Sequence, residues 1–329
     1  MGLVAFLGVE TKGADDKEQP FYHQPVMVRE VVEQLRCKEG GAFVDLTVGE
    51  GGHASKILEA SSKVFLIGVD WDEEILERAR ERLKPFEGRF ALVRDNFVNL
   101  PTILEDLEIR EVDGVLLDLG PSLFHLAQPQ RGFSFQQEGP LDMRMDRSRR
   151  LKASKIVNTW PLDELKRIIR HYGDERWATK IARAIGERRQ RGGIKTTKDL
   201  AQLIAEAIPK RYYPERIHPA TKTFLALRIA VNEELKNLKD VLERVPFCLR
   251  KGGRLGVISF HSLEHRTVKD VLGKLSKDCI CPPWFPQCVC GGKRKVMEVI
   301  TKSPIVPTEE EIRANPRARS AQLRVAERV

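Results

Sequence analysis

The sequence predicts an α/β protein, a mostly parallel sheet into which an all-helical segment is inserted. Three observations carry this. Short apolar runs alternate with amphipathic stretches from Ala42 to Leu119; residues 126–216 hold helical patterns with no convincing strand; and strand character returns from Gly253. Strands alternating with helices imply βαβ units and a parallel sheet, here interrupted in sequence and completed late.

Taken in order, Ala42–Val48, Val64–Asp70, Phe90–Arg94 and Gly114–Leu119 read as strands. His53–Ser61 and Asp72–Leu83 read as helices, the latter because Ile75, Ala79 and Leu83 recur at helical spacing. A loop over Gln128–Met145 precedes helical patterns at Asp163–His171, Glu175–Arg189 and Thr197–Ile208. A helix over Thr221–Leu242 and the turn Lys251-Gly-Gly253 lead to strands at Gly253–Phe260, Lys295–Thr301 and Ser320–Ala326. The expected division is a tail at 1–20, a core in two parts at 21–125 and 217–329, and a helical substrate domain at 126–216. A Cys-rich loop, 279–290, lies in the second core part.

A chain of 329 residues with 41% hydrophobic content can fill a sizeable core. Its net charge of +9 suits a polyanionic partner and equally a mildly basic soluble enzyme. No run approaches the ~18–20 apolar residues of a membrane span. The apolar segment Gly2–Val9 has no basic residue before it, which makes a poor secretory signal, and Phe6 stands where N-myristoylation wants Ser or Thr. A cytoplasmic protein without membrane contact is expected, with Cys37 and Cys248 reduced and buried. The oligomeric state is not legible; a homodimer is compatible with the sequence.

The stretch Gly49-Glu-Gly51-Gly-His-Ala54 fits G-x-G-x-x-A after a strand and before a helix, and Asp70 closes the next strand at the distance of a ribose acid. Glycines permit tight turns and close backbone approach, and a helix N-terminus presents free N–H groups. Nicotinamide, flavin and S-adenosylmethionine (AdoMet) proteins all use such a loop. Asp45, four residues before Gly49, puts a carboxylate beneath it, which a sulfonium-bearing ligand tolerates better than a pyrophosphate does. Asp95-Asn96-Phe97 follows the third strand with a ring at the height of an adenine, and Asp118 ends the fourth, the edge where open α/β sheets bind ligands. One acid alone would read as a surface or N-cap carboxylate; four at strand ends read as a site.

Longer motifs carry a resemblance. His23-Gln-Pro-Val26, Gly51-Gly-His53, Leu116-Leu-Asp-Leu-Gly120, Arg131-Gly-Phe-Ser-Phe135, Gly139-Pro-Leu-Asp-Met-Arg-Met-Asp146, His218-Pro-Ala-Thr221, Ile258-Ser-Phe-His-Ser-Leu-Glu264 and Asn315-Pro-Arg-Ala-Arg-Ser320 closely resemble the MraW family, bacterial ribosomal RNA small subunit methyltransferase H. The resemblance runs from about residue 21 to the C-terminus. It implies a class I, Rossmann-like AdoMet-dependent methyltransferase fold with an inserted helical domain, and methylation of the exocyclic N4 of a cytidine in the decoding region of 16S rRNA within the small subunit. It implies AdoMet contacts at Gly51, Gly52, His53, Asp70, Phe97 and Asp118. A seventh, a glutamine in the family's usual pattern, falls on His125, because this chain reads Gly120-Pro-Ser-Leu-Phe-His-Leu126.

The exocyclic amine of cytosine is a poor nucleophile because its lone pair is delocalised into the ring. An enzyme must hold its N–H groups with acceptors and align the nitrogen with the methyl group for in-line displacement. Asp118, or a carbonyl just after it, is the expected acceptor, and Phe124 or Phe133 the ring that stacks on the base; the alternative is that Asp118 only orients AdoMet and the rings are core. His261 and Ser262 do not make a hydrolase pair, since neighbours in a strand point to opposite faces and no Gly-x-Ser-x-Gly elbow is present; they line the substrate side of the cleft or bond the following turn.

Basic stretches at Arg147–Lys155, Arg188–Lys195 and Lys210–Arg216, the last with Tyr212 and Tyr213, suit RNA or are solvated faces. Cys279, Cys281, Cys288 and Cys290 form C-x-C-x6-C-x-C, which could close a tetrahedral zinc site, although C-x2-C is the usual knuckle; reduced thiols or a redox-labile loop are the alternatives. Two other functions are consistent with parts of the chain. A nicotinamide oxidoreductase would share the glycine loop but lacks a Tyr-x-x-x-Lys pair, and a non-catalytic ribosome assembly or RNA-binding factor would account for the Pro121–His125 departure.

Overall fold

The computed structural model describes residues 24–329 apart from Arg216, Ile280 and Pro283; the expected tail at 1–20 lies outside the described residues. In chain order the first elements are α1 (Val28–Gln34), β1 (Gly41–Asp45), α2 (Gly52–Ala60), β2 (Val64–Asp70), α3 (Glu73–Leu83), β3 (Phe90–Arg94), α4 (Leu100–Asp106) and β4 (Val112–Asp118). A run of helices follows: α5 (Leu123–Ala127), α6 (Ala153–Thr159), α7 (Leu162–Gly173), α8 (Ala178–Arg189), α9 (Thr197–Ala207) and α10 (Thr221–Asn232). The chain closes with α11 (Glu234–Arg244), β5 (Leu249–Ser259), α12 (Ser262–Leu275), β6 (Met297–Val299), α13 (Glu309–Ala314) and β7 (Gln322–Arg328). Among the described residues no helix is long and apolar enough to cross a membrane.

Local chemistry explains the clearest elements. Asp72 caps α3 by accepting from Glu74 N–H at 3.0 Å, Glu73 and Glu74 sit in its first turn and Arg80 and Arg82 in its last, and Ile75, Leu76, Ala79 and Leu83 form its buried stripe. Strands β1, β2 and β4 are apolar on both faces, as a sheet covered by helices requires.

Two units are distinguished, one formed by Pro121–Glu234 and the other by residues 24–120 with Leu235–Val329. The second holds the seven-stranded sheet, in the order β3-β2-β1-β4-β5-β7-β6. All pairs from β3 to β5 are parallel, and β7 runs antiparallel to β5 and to β6. The strand order reverses between β1 and β4, where Asp45 stands opposite Leu116. Val44, Ile67, Val115, Leu117 and Val257 on one face join residues of α4, α11 and α12 in a continuous apolar core. On the other, the Phe43 ring packs over Gly114, where a Cβ would come within 2.7 Å of it.

The helical unit is an α7–α10 pair joined by α6, α8 and α9. The helix expected over Thr221–Leu242 is broken, with Glu233 in the left-handed region at φ 53°. Asn232 is held by tertiary bonds: its Nδ2 donates to Met143 O at 2.8 Å and its Oδ1 accepts from Met145 N–H at 2.9 Å. Arg228 pairs with Glu234 through both its Nε and Nη2 at 2.8 Å, across the break. The Arg131–Asp146 stretch is this unit's internal scaffold. Arg131, 2% exposed, donates to the carbonyls of Arg144 and Met145, and Asp142 holds Arg144 at 2.6 and 2.8 Å.

Candidate active site at the switch point of the sheet

The reversal between β1 and β4 brings the C-terminal ends of two parallel strands side by side, the position at which open α/β sheets bind ligands. Asp45 ends β1 and Asp118 ends β4. The loop after β1 turns through Gly49 at φ 52° and Gly51 at φ 78°, a conformation open to glycine at little cost. Gly51 is also the N-cap of α2, which no side chain caps. Gly52 presses on Pro25, where a Cβ would lie 3.2 Å from its Cβ.

Asp70, at the end of β2, ties the loop down: its Oδ2 accepts from Gly49 N–H at 3.2 Å and its Oδ1 from Asp72 N–H at 3.0 Å. Thr47 links the two central strands, its Oγ1 accepting from Asp118 N–H at 2.6 Å, while Asp45 Oδ1 accepts from Thr47 N–H at 3.1 Å. Asp45 Oδ2 and Asp118 Oδ1 are buried and have no hydrogen-bond partner among the described residues. Burial pushes Asp45 up to about 7 and Asp70 up to about 6. Burial, with the Glu264 charge adding to it, pushes Asp118 up to about 7. Three carboxylates are thus held together in a setting that penalises their negative charge.

His53, in the first turn of α2 and 5% exposed, bridges this cluster to α1's approach. Its Nε2 lies 2.7 Å from Val26 O, an acceptor only, so Nε2 carries hydrogen. Burial lowers the imidazole's pKa, which keeps the ring neutral and Nδ1 bare. That nitrogen faces Asp118 Oδ2 at 3.4 Å, and two acceptors at this separation require one proton between them. The raised pKa of Asp118 favours placing that proton on its carboxyl as pH falls below about 7.

Phe97 follows β3, and its ring centroid lies 6.2 Å from that of Trp71, which follows Asp70. Trp71 is a candidate that sequence reading missed; an aromatic directly after the ribose-acid position was the available signal. Asp95 is spent on the local turn, its Oδ1 accepting from Asn96 N–H and Asn99 Nδ2. Beyond β5, His261 is buried at the N-cap of α12 and Ser262 is exposed, so the two do not pair. His261 Nε2 lies 2.9 Å from Glu264 Oε1 without the alignment of a hydrogen bond, and Glu264 Oε2 accepts from Phe260 N–H at 2.8 Å. Sequence reading also missed the Ser259 Oγ···His265 Nδ1 contact of 2.6 Å.

Phe124, His125 and Phe133 belong to the helical unit. His125 closes a capping box with Ser122 at the start of α5, its Nδ1 accepting from Ser122 N–H at 3.3 Å. Its ring centroid lies 5.0 Å from that of Phe133, which is 4% exposed, and 6.2 Å from that of half-buried Phe124. On the same unit Trp177 and Tyr212 lie 5.2 Å apart by centroid, with Arg176, Lys180 and Arg211 over their rings at 4.8–5.5 Å. Tyr213 instead donates to Ala205 O at 2.6 Å. The four clustered cysteines lie on the loop after α12, apart from this site in the chain.

Comparison with known proteins agrees with this architecture. The profile of the MraW methylase family matches residues 20–329. Ribosomal RNA small subunit methyltransferase H of Halothermothrix orenii is 49% identical over 308 residues, 93% of this chain and 98% of the relative. The proteins of the same name from Syntrophus aciditrophicus and Carboxydothermus hydrogenoformans are each 48% identical over 309 residues, 94% of this chain and 98% of the relative. With this match along nearly its whole length and the class I AdoMet-dependent methyltransferase fold in its sheet, the chain belongs to the MraW methylase family.

Proposed function

We propose that this protein uses AdoMet to methylate the exocyclic N4 of a cytidine in the decoding region of small-subunit (16S) rRNA, acting in the cytoplasm on the small ribosomal subunit. The observation that carries the reading is the cluster of acids at the switch point, Asp45 buried and Asp70 and Asp118 half-buried, two of them with an oxygen lacking any partner among the described residues. Such a cluster repels a pyrophosphate and attracts a cation, which argues for a sulfonium ligand over a dinucleotide.

The residues present fit AdoMet. Gly51 and Gly52 make the tight turn into α2 and present its N-terminal N–H groups without a capping side chain, and Asp70 keeps acceptor lone pairs for ribose hydroxyls beside the two backbone N–H groups it already binds. Trp71 and Phe97 offer ring faces for the adenine. Asp45 and Asp118 provide the negative charge that a sulfonium wants, and His53 fixes the Asp118 carboxyl through Nδ1. When bound, AdoMet supplies an electrophilic methyl group.

Asp118 is the candidate catalytic residue. Its side chain is 20% exposed, and once its proton is displaced it accepts a hydrogen bond from the target amine. That bond draws the nitrogen lone pair out of ring conjugation and fixes its line of attack. No strong general base is required, because the alkylated amine is acidic enough to lose its proton to water.

Within the helical unit, which we assign to rRNA, Trp177 and Tyr212 with their three cations offer a stacking and phosphate-binding platform. Phe124 is better exposed than Phe133 to stack on the extruded base. His125 takes the place of a family glutamine, and its ring is engaged in the α5 capping box. Ser262, exposed at the start of α12, is assigned to the substrate side, and His261 to shaping that turn.

The test is to incubate the protein with methyl-labelled AdoMet and small ribosomal subunits lacking the modification, and to map the label. Label on a cytidine N4 of the decoding region is expected. Tight AdoMet binding without transfer would instead favour a non-catalytic assembly factor.

A further inference from the structure

The loop joining α12 to β6 has no core of its own. None of the described residues between Leu272 and Met297 is buried, and large apolar side chains stand in solvent there: Trp284 is 80% exposed, Val289 72% and Phe285 45%. Its neck is closed by backbone bonds, Val296 N–H to Leu275 O at 3.0 Å and Arg294 N–H to Asp278 O at 3.3 Å. Beyond the neck, a segment this exposed has little apolar burial to offset the entropy of ordering it.

Four sulfurs nevertheless converge inside it. Cys279 Sγ lies 3.5 Å from Cys288 Sγ and 3.7 Å from Cys290 Sγ, and Cys288 Sγ lies 3.5 Å from Cys290 Sγ. With Cys281 included, all four sulfurs are within 4.8 Å of one another. The spacing explains how. Each C-x-C pair keeps its two thiols only two residues apart, and all four gather at one point. The six-residue connector then folds back, with a turn closed by Phe285 N–H to Pro282 O at 3.0 Å, and sets one pair against the other. After Cys290, Gly291, Gly292 and Lys293 are all left-handed, which turns the chain sharply away.

The separations select among fillings. A disulfide needs sulfurs about 2.0 Å apart, and none is that close. Four ligands about 2.3 Å from one tetrahedral ion stand about 3.8 Å from each other, close to the separations here. An iron–sulfur cluster places several metal atoms and bridging sulfides between its thiolates and needs a wider cage. Val289 N–H donates to Cys281 Sγ at 3.3 Å, the kind of backbone bond that orients a sulfur ligand. Soft thiolates in a tetrahedral set suit zinc.

We propose that Cys279, Cys281, Cys288 and Cys290 bind one structural Zn²⁺, which takes the place of a hydrophobic core in this finger and holds its exposed tip in a fixed form. Binding converts four thiols to thiolates and releases their protons to solvent.

The test uses the full chain, purified from zinc-supplemented cells without chelators and with a non-thiol reductant, and measures metal by mass spectrometry. About one zinc per chain is expected. The Cys279→Ser/Cys288→Ser double variant should fall below about a tenth of that, while a Cys37→Ser/Cys248→Ser variant keeps its zinc. Exchange of cobalt into the unmutated chain gives a readout independent of how the variants fold: thiolate-to-cobalt charge-transfer absorption and the visible bands of a tetrahedral site. Zinc below about a tenth of an equivalent in reduced protein, with no cobalt spectrum, overturns the proposal. So does stoichiometric iron in its place, or full zinc retention by the Cys279→Ser/Cys288→Ser variant.

Discussion

The acids at the head of the sheet and the thiols of the finger are both clusters of like groups, supported in opposite ways. Asp45, Asp70 and Asp118 stand on the ends of buried parallel strands, and the sheet holds them together at the cost of raising two of them to about 7 and the third to about 6. Cys279, Cys281, Cys288 and Cys290 have no buried neighbour among the described residues of their own loop to hold them. The contrast teaches where organisation comes from: a preformed core can force polar groups into an unfavourable arrangement that a ligand relieves, whereas a coreless loop needs its ligand to be organised at all.

The sharpest way to break this contrast is Asp118→Ala. Methyl transfer should fall roughly 10²- to 10³-fold, the cost of removing one well-placed electrostatic partner, with the protein still folded because the carboxylate lost is half-buried and leaves its Oδ1 without a hydrogen-bond partner among the described residues. Single-turnover transfer measured beside thermal melting checks both halves, and transfer at the wild-type rate would remove Asp118 from the mechanism.

A second effect concerns pH. Asp45 and Asp118 have folded pKa values above their unfolded ones, so folding takes up protons and their contribution to stability is full below about pH 4 and lost as pH rises towards about 7. Without ligand, stability should therefore fall over that interval by roughly 3 kcal/mol more in the wild type than in Asp45→Asn, as read by denaturant melts at several pH values. Equal slopes would contradict the assignment.

Gly51→Ala should cost roughly 1–2 kcal/mol in a melt from its left-handed backbone, since the added Cβ would make only ordinary contact with Leu83 at 3.4 Å. At the small end, Cys279→Ser/Cys288→Ser should leave the melting of the sheet core within about 0.5 kcal/mol of wild type while making the finger a target for limited proteolysis. A large loss of global stability would mean that the finger supports the core, and the contrast would fail.

Much of the fold was legible because it is written in local periodicity. Val64–Asp70 and Phe90–Arg94 are strands with the expected bounds, and Asp72 starts α3 as its capping chemistry predicts. What was not legible depends on distant partners. The expected helix at Thr221–Leu242 breaks because Asn232 bonds Met143 and Met145, nearly ninety residues earlier, and Glu233 gives no local sign of a left-handed turn. The short helices α1 and α4 and the much longer α12 escaped too. In the candidate site, the glycines and acids could be read from their positions at strand ends. Sequence could not reveal that His53 is fixed by the Val26 carbonyl, or that Asp70 spends two lone pairs on backbone N–H groups. Nor could it say that Phe133 is buried against His125, since spacing alone does not distinguish a core ring from a stacking one.

The central claim is that the clustered acids form a cation site, and it is tested most directly by the affinities of AdoMet and S-adenosylhomocysteine, which lacks the sulfonium charge, measured by calorimetry from pH 5.5 to 8. AdoMet binding should tighten as pH rises through about 7 and should release protons below that, because a cation beside Asp45 and Asp118 draws their pKa values back down. S-adenosylhomocysteine should show a much flatter profile. Identical pH profiles for the two ligands, with no proton release on binding AdoMet, would contradict the account.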